Sequence, residues 1–95
     1  MPTVSVEHYV VISEAGGVKK ERIEIEGSTL SDLIEELASR YGRKFKKLVV
    51  KRNTNALQSG VIVSINGVDA RSVGGLNAKI GDDDVVTFLP PVAGG

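Results

Sequence analysis

No cysteine occurs among these 95 residues. That absence excludes disulfides, thiolate metal ligands and a cysteine nucleophile, so any sulfur chemistry must use sulfur supplied from outside. Tryptophan is also missing, and two tyrosines and two phenylalanines are the only rings available for stacking on bases. Nor is there an excess of charge of one sign. Twelve basic residues balance twelve acidic ones, which leaves no global field to draw in nucleic acid or a membrane surface. No apolar run approaches the ~20 residues of a membrane span, and the amino end lacks the basic-then-apolar layout of a secretory signal. A cytoplasmic location is therefore expected. A glycine-rich phosphate loop, a Walker lysine and a nucleophile elbow are absent as well.

What is present is the material of one small globular domain. Hydrophobic residues make up 41% and charged residues 25%, a balance suited to a single soluble core rather than to disorder. Val4, Val6, Val10 and Ile12 recur at period two, the mark of a half-buried strand. Glu14-Ala15-Gly16-Gly17 reads as a turn, and Glu21, Ile23 and Ile25 then alternate with charged residues, so the chain opens with a hairpin. Leu30, Leu33, Ile34, Leu37, Ala38 and Tyr41 next follow the i, i+3, i+4, i+7 spacing of one helix face. Thr29 with Asp32 three residues on resembles an N-terminal cap, and Gly42 suits the left-handed position after the last turn.

The stretch from Arg43 to Gly60 supports two readings. Phe45, Leu48 and Val49 extend a helical face, while Leu48-Val49-Val50 fits a short strand equally well. Val61 to Ile65 is a β-branched strand closed by Asn66-Gly67, a strong turn signal. Residues 70–80 look irregular, with Leu76 and Ile80 as plugs into the core. Asp82-Asp83-Asp84 forms a tight turn before a last strand, Val85 to Leu89. The order strand, strand, helix, strand, strand predicts an α+β domain over residues 1–89, with a mixed sheet and one main helix packed on one face.

Residues 90–95, Pro90-Pro91-Val92-Ala93-Gly94-Gly95, form a flexible tail beyond that domain. The two prolines fix φ twice and hold the stem extended, and six residues at ~3.3 Å each reach roughly 20 Å. Glycine lacks a Cβ, so Gly94 and Gly95 make a tip thin enough to enter a narrow enzyme channel, with the Gly95 carboxylate as the reactive group. A frayed terminus without a role is the equal alternative on the tail alone.

Three further clusters carry simpler readings. His8 has no acidic or cysteine cluster nearby in sequence and reads as structural rather than as a base or ligand. The three aspartates cannot converge on one ion from a tight turn, so no metal is expected; a negative rim at the base of the tail is an alternative use for them. Arg43, Lys44, Lys46, Lys47, Lys51 and Arg52 form a basic run without interleaved aromatics, and nucleic acid is not an expected partner. Alternation in the last strand puts Val85, Thr87 and Leu89 on one face and Val86 and Phe88 on the other. One helix covers only one face. Val86, Phe88 and Leu89, directly before the tail, are therefore expected to form an exposed docking patch.

Taken together, Phe88-Leu89-Pro90-Pro91-Val92-Ala93-Gly94-Gly95, with Ile65-Asn66-Gly67 upstream and the acidic turn before the last strand, resembles the β-grasp sulfur carriers. The similarity is greatest to the small subunit of molybdopterin synthase (MoaD), alongside the ubiquitin-related and small archaeal modifier proteins, and it covers essentially the whole chain. The resemblance implies a ubiquitin-like β-grasp fold and a protein that is a cosubstrate rather than an enzyme. It further implies that an E1-like activating enzyme uses ATP and magnesium to adenylate Gly95, and that sulfide or persulfide then displaces AMP to leave a thiocarboxylate. No cofactor would be bound by the chain itself. The implied partners are that activating enzyme and the large subunit of molybdopterin synthase, with conjugation of Gly95 to lysines of target proteins as the modifier alternative. Where the family pattern has Asp-Gly-Asp-Glu, this chain has Asp82-Asp83-Asp84-Val85, so aspartate must take a left-handed position that glycine usually fills.

Overall fold

The structure is a computed structural model that describes residues 1–9, 18–51, 54 and 56–89. The elements in chain order are β1 (Thr3–Tyr9), β2 (Val18–Glu24), α1 (Leu30–Tyr41), α2 (Arg43–Val49), β3 (Ile62–Ile65), β4 (Val68–Asp69) and β5 (Val85–Leu89). Two single turns of 3-10 helix, Ala70–Val73 and Gly75–Asn77, cross between β4 and β5. The five strands lie in the order β2-β1-β5-β3-β4. β1 runs parallel to β5 and antiparallel to β2, and β5 is antiparallel to β3. The mixed sheet expected from the sequence is present. The hairpin residues Val10 and Ile12 and the turn through Gly16-Gly17 lie outside the described residues.

Register explains which face became the core. Val86 of β5 lies opposite Val6 on one side and Ile65 on the other, and all three are buried. Because successive side chains in a strand alternate faces, this one row sends Val4, Val6, Ile23, Val63, Ile65, Val86 and Phe88 together toward the helices. Leu30, Leu33, Ile34 and Leu37 of α1 cover them, fully buried, as their spacing predicted. Leu76 and Ile80 also plug the core.

Helix α1 starts where its cap dictates. The Thr29 hydroxyl accepts from the Asp32 amide, while Asp32 Oδ2 accepts from the backbone amides of Ser28 and Thr29 at 3.0 and 3.1 Å. The reciprocal pair satisfies amides that the first turn leaves without helical partners. The Thr29 hydroxyl also donates to Asp32 Oδ2 at 2.9 Å, and this bond above all, with the two amide bonds, holds the Asp32 carboxyl below the usual carboxylate range. At the other end Gly42 has φ 93° and ψ 174°. That is not the left-handed cap the sequence suggested but an extended positive-φ conformation that only glycine adopts readily. It turns the chain directly into α2 rather than ending the helical layer.

The ambiguous stretch after Gly42 is thus a second helix through Val49, followed by a bridge between Val50 and Leu57. At Asn66 and Gly67 both φ angles are positive, 53° and 83°, as a tight hairpin turn with matching strand twist requires. Asp83 sits at φ 65° in the glycine position of the acidic turn, held there by its neighbours.

Candidate functional site at the base of the C-terminal tail

Pro90, Pro91, Val92, Ala93, Gly94 and Gly95 lie outside the described residues, so the site is described from its root. That root is the end of β5. The strand is central, paired on one side with β1 and on the other with β3, so whatever follows Leu89 is anchored through two ladders rather than at a fraying edge.

Of the three residues expected to form the docking patch, the structure keeps one on the surface. Val86 is fully buried and Phe88 is 4% exposed, which corrects the expectation for both. The reason is register, which sets Val86 level with Val6 and Ile65 in the row that α1 covers. Phe45 of α2 packs edge-on against Phe88, with ring centroids 5.5 Å apart, so two helices cover the face that carries Val86 and Phe88. The uncovered face carries Val85, Thr87 and Leu89, each half-buried. Leu89 lies opposite Ile62 in the β3 ladder, and Ile62 is 48% exposed. These two apolar side chains occupy the uncovered face beside the tail's exit. Ile62 was overlooked in the sequence although the alternation of Val61, Val63 and Ile65 against Ile62 and Ser64 contained it.

Arg71 is a second residue that sequence reasoning missed. Its guanidinium donates to the Val61 carbonyl at 2.8 Å and to the Gln58 carbonyl at 2.6 Å. The planar fork ties down the segment that feeds β3, and so fixes Ile62 against Leu89. An arginine ten residues from its partner leaves no periodic signal.

The acidic turn is at the opposite end of β5. Four strand steps of ~3.4 Å separate Val85 from Leu89, so the aspartates do not form the negative rim at the base of the tail that their sequence position allowed. Their carboxylates also diverge. Asp82 accepts from the Thr3 amide at 2.9 Å, Asp83 from Arg22 at 3.1 Å, and Asp84 from Asn66 Nδ2 at 2.9 Å and the Gly81 amide at 2.8 Å. Each is engaged in holding the turn. No group of His, Asp or Glu with metal-binding arrangement occurs among the described residues. His8 lies in β1 opposite Phe88.

The described site offers an anchored strand end and a small apolar surface. Those features, on a five-stranded mixed sheet with α1 across it, define a ubiquitin-like β-grasp domain. The sequence profile of the ThiS family matches residues 10–95. The chain is 34% identical over 95 residues to the sulfur carrier protein CysO of Mycobacterium tuberculosis, covering 100% of this chain and 94% of that one. Among solved structures, the Amycolatopsis orientalis BexX/CysO complex is 32% identical with a TM-score of 0.74, covering 97% of this chain and 99% of the other. A putative molybdopterin converting factor, subunit 1, from Pyrococcus furiosus is 30% identical with a TM-score of 0.68, covering 97% and 100%. The chain belongs to the ThiS family, and it is a small protein of the sulfur-carrier type rather than an enzyme in its own right. No helix among the described residues is long and apolar enough to cross a membrane.

Proposed function

We propose that this chain carries sulfur as a thiocarboxylate on Gly95. A carboxylate resists attack by sulfide because oxide would have to leave, so an E1-like activating enzyme first joins Gly95 to AMP, using magnesium ATP and releasing pyrophosphate. Sulfide, or the terminal sulfur of a persulfide with a reductant to accept the remaining oxidising equivalent, then displaces AMP. The tail next enters a partner enzyme, where the sulfur passes to an acceptor and water restores the carboxylate. The chain-long similarity to CysO carriers is the observation that carries this reading. The anchoring of β5 supports it, since a tail rooted between two strands can be inserted and withdrawn without disturbing the fold.

Delivery to molybdopterin, through the large subunit of molybdopterin synthase, is the second and finer reading. It is favoured by the 30% identity to the Pyrococcus furiosus protein and by the Pro90-Pro91-Val92-Ala93-Gly94-Gly95 ending. Leu89 and Ile62 are the proposed contacts for both partner enzymes, because they are the apolar side chains on the uncovered face nearest the tail.

The test is intact mass after incubation with the activating enzyme of the same cell, ATP, magnesium and sulfide. A gain equal to the difference between sulfur and oxygen supports the carrier; no gain and no ATP–pyrophosphate exchange overturns it. Offering the product to a molybdopterin synthase large subunit with its precursor then tests the finer reading alone. A denaturant-resistant ladder dependent on Gly95, with no thiocarboxylate, would instead assign the chain as a lysine-conjugated modifier.

A further inference from the structure

The chain is neutral overall, yet its charge is segregated. Six of its twelve basic residues and none of its twelve acidic ones fall between Arg43 and Arg52, leaving six basic against twelve acidic elsewhere. α2 carries four of the six, and all four are exposed. Lys46 is engaged by Glu35 of α1, just as Arg40 is held by Glu36 at 3.0 Å. Arg43, Lys44 and Lys47, with Lys51 just beyond the helix, have no carboxylate partner among the described residues. They form a compact cationic surface that nothing within the described fold neutralises.

Its position gives it a use. Phe45, on the buried side of α2, touches Phe88, the residue before Leu89, and Gln58 Nε2 donates to the Lys47 carbonyl at 3.2 Å while Arg71 ties Gln58 to Val61. α2 is thus braced against the strand end from which the tail leaves. A protein that takes up the tail must pass close to this surface.

We propose that the Arg43, Lys44, Lys47 and Lys51 surface is a second docking surface, complementary to an acidic patch beside the tail-accepting channel of the activating enzyme. This rests on the carrier reading above. Apolar contact at Ile62 and Leu89 would set how long the complex lasts, and the cationic surface would set how fast it forms, since long-range attraction acts mainly on association. RNA fits less well. Phe45 is packed on Phe88, so of the two rings near the cations only Tyr41 is exposed, and a single ring is a poor platform for successive stacked bases. The acidic remainder of the chain also repels a polyanion.

The experiment is stopped-flow association of the full chain with the activating enzyme of the same cell, at about 0.05 M and about 0.5 M salt. The double variant Lys44→Glu/Lys47→Glu is compared with Arg43→Gln/Lys51→Gln, which removes charge without reversing it. The charge-reversed protein is expected to associate about tenfold more slowly at low salt and to match the wild type at high salt, with dissociation unchanged. The Gln pair should fall between, and circular dichroism should be unaltered for both. A chain lacking Gly94 and Gly95 should keep the salt-dependent association. Association that ignores both variants while adenylation proceeds overturns this proposal and leaves the carrier intact; absence of adenylation in the wild type overturns both. Tighter binding of a single-stranded RNA of about 20 nucleotides than of the enzyme, lost in the Glu variant, would also overturn it.

Discussion

Phe45 and Phe88 meet edge to face, with ring centroids 5.5 Å apart and planes at 70°. One ring belongs to α2 and the other to β5, one residue before the strand ends. Their contact adds α2 to the face that α1 covers, and it places the cationic helix beside the end of β5.

Phe88→Ala should therefore damage the fold rather than only an interface. Truncating a buried ring costs about 3–5 kcal/mol, and Val86→Asp, which buries a carboxylate without a partner, should prevent folding. Thermal melting of the free protein checks both. Normal melting of Phe88→Ala with weakened enzyme binding would restore the exposed-patch reading.

The opposite outcome is expected at Ile62. Ile62→Asp leaves the core untouched, so the melting temperature should stay near that of the wild type. Affinity for the activating enzyme should fall by about 1–2 kcal/mol, roughly five- to thirtyfold. Calorimetry with the tail-deleted chain separates this contact from insertion of the tail.

Asp32 gives the protein an acid-sensitive helix cap. Its folded-state carboxyl titrates below its usual range because Thr29 and the Ser28 and Thr29 amides bond its ionised form. A depressed carboxylate contributes stability above the unfolded value and loses it as pH falls through the folded one. Wild type should exceed Asp32→Asn in melting temperature at neutral pH, and the two should converge as acidification carries the pH below the usual carboxylate range. Thr29→Ala, which removes the other half of the cap, should cost about 1 kcal/mol.

Deleting Gly95, or adding one residue after it, should abolish adenylation while leaving the melting temperature unchanged. Gly94→Val should act likewise by widening the tip. Pyrophosphate exchange with the activating enzyme reads both, and normal exchange by an extended tail would refute the threaded tip.

The amino-acid pattern determined much of this protein by itself. Period two in Val4 and Val6, helical spacing from Leu30 to Leu37, the Thr29–Asp32 cap and the Asn66-Gly67 turn are local signals. Each arises from neighbours within one element, so each was legible without the fold. The Gly94-Gly95 ending and its resemblance to β-grasp carriers were equally open to reading. Alternation also divided β5 correctly into two faces.

Only the tertiary structure decided which face is inside. Val86 and Phe88 on one side and Val85 and Leu89 on the other are alike in apolar character, and the choice followed from register, which sets Val86 level with Val6 and Ile65 in the row that α1 covers. Gly42, marked in the sequence only as a helix end, leads straight into α2 at φ 93° and ψ 174°. The Arg71 fork, the displacement of the acidic turn from the tail, and the cationic surface beside it depend likewise on residues far apart in the chain. Local propensity fixes an element, but a face becomes core only when another element covers it, and that covering is a property of the whole fold.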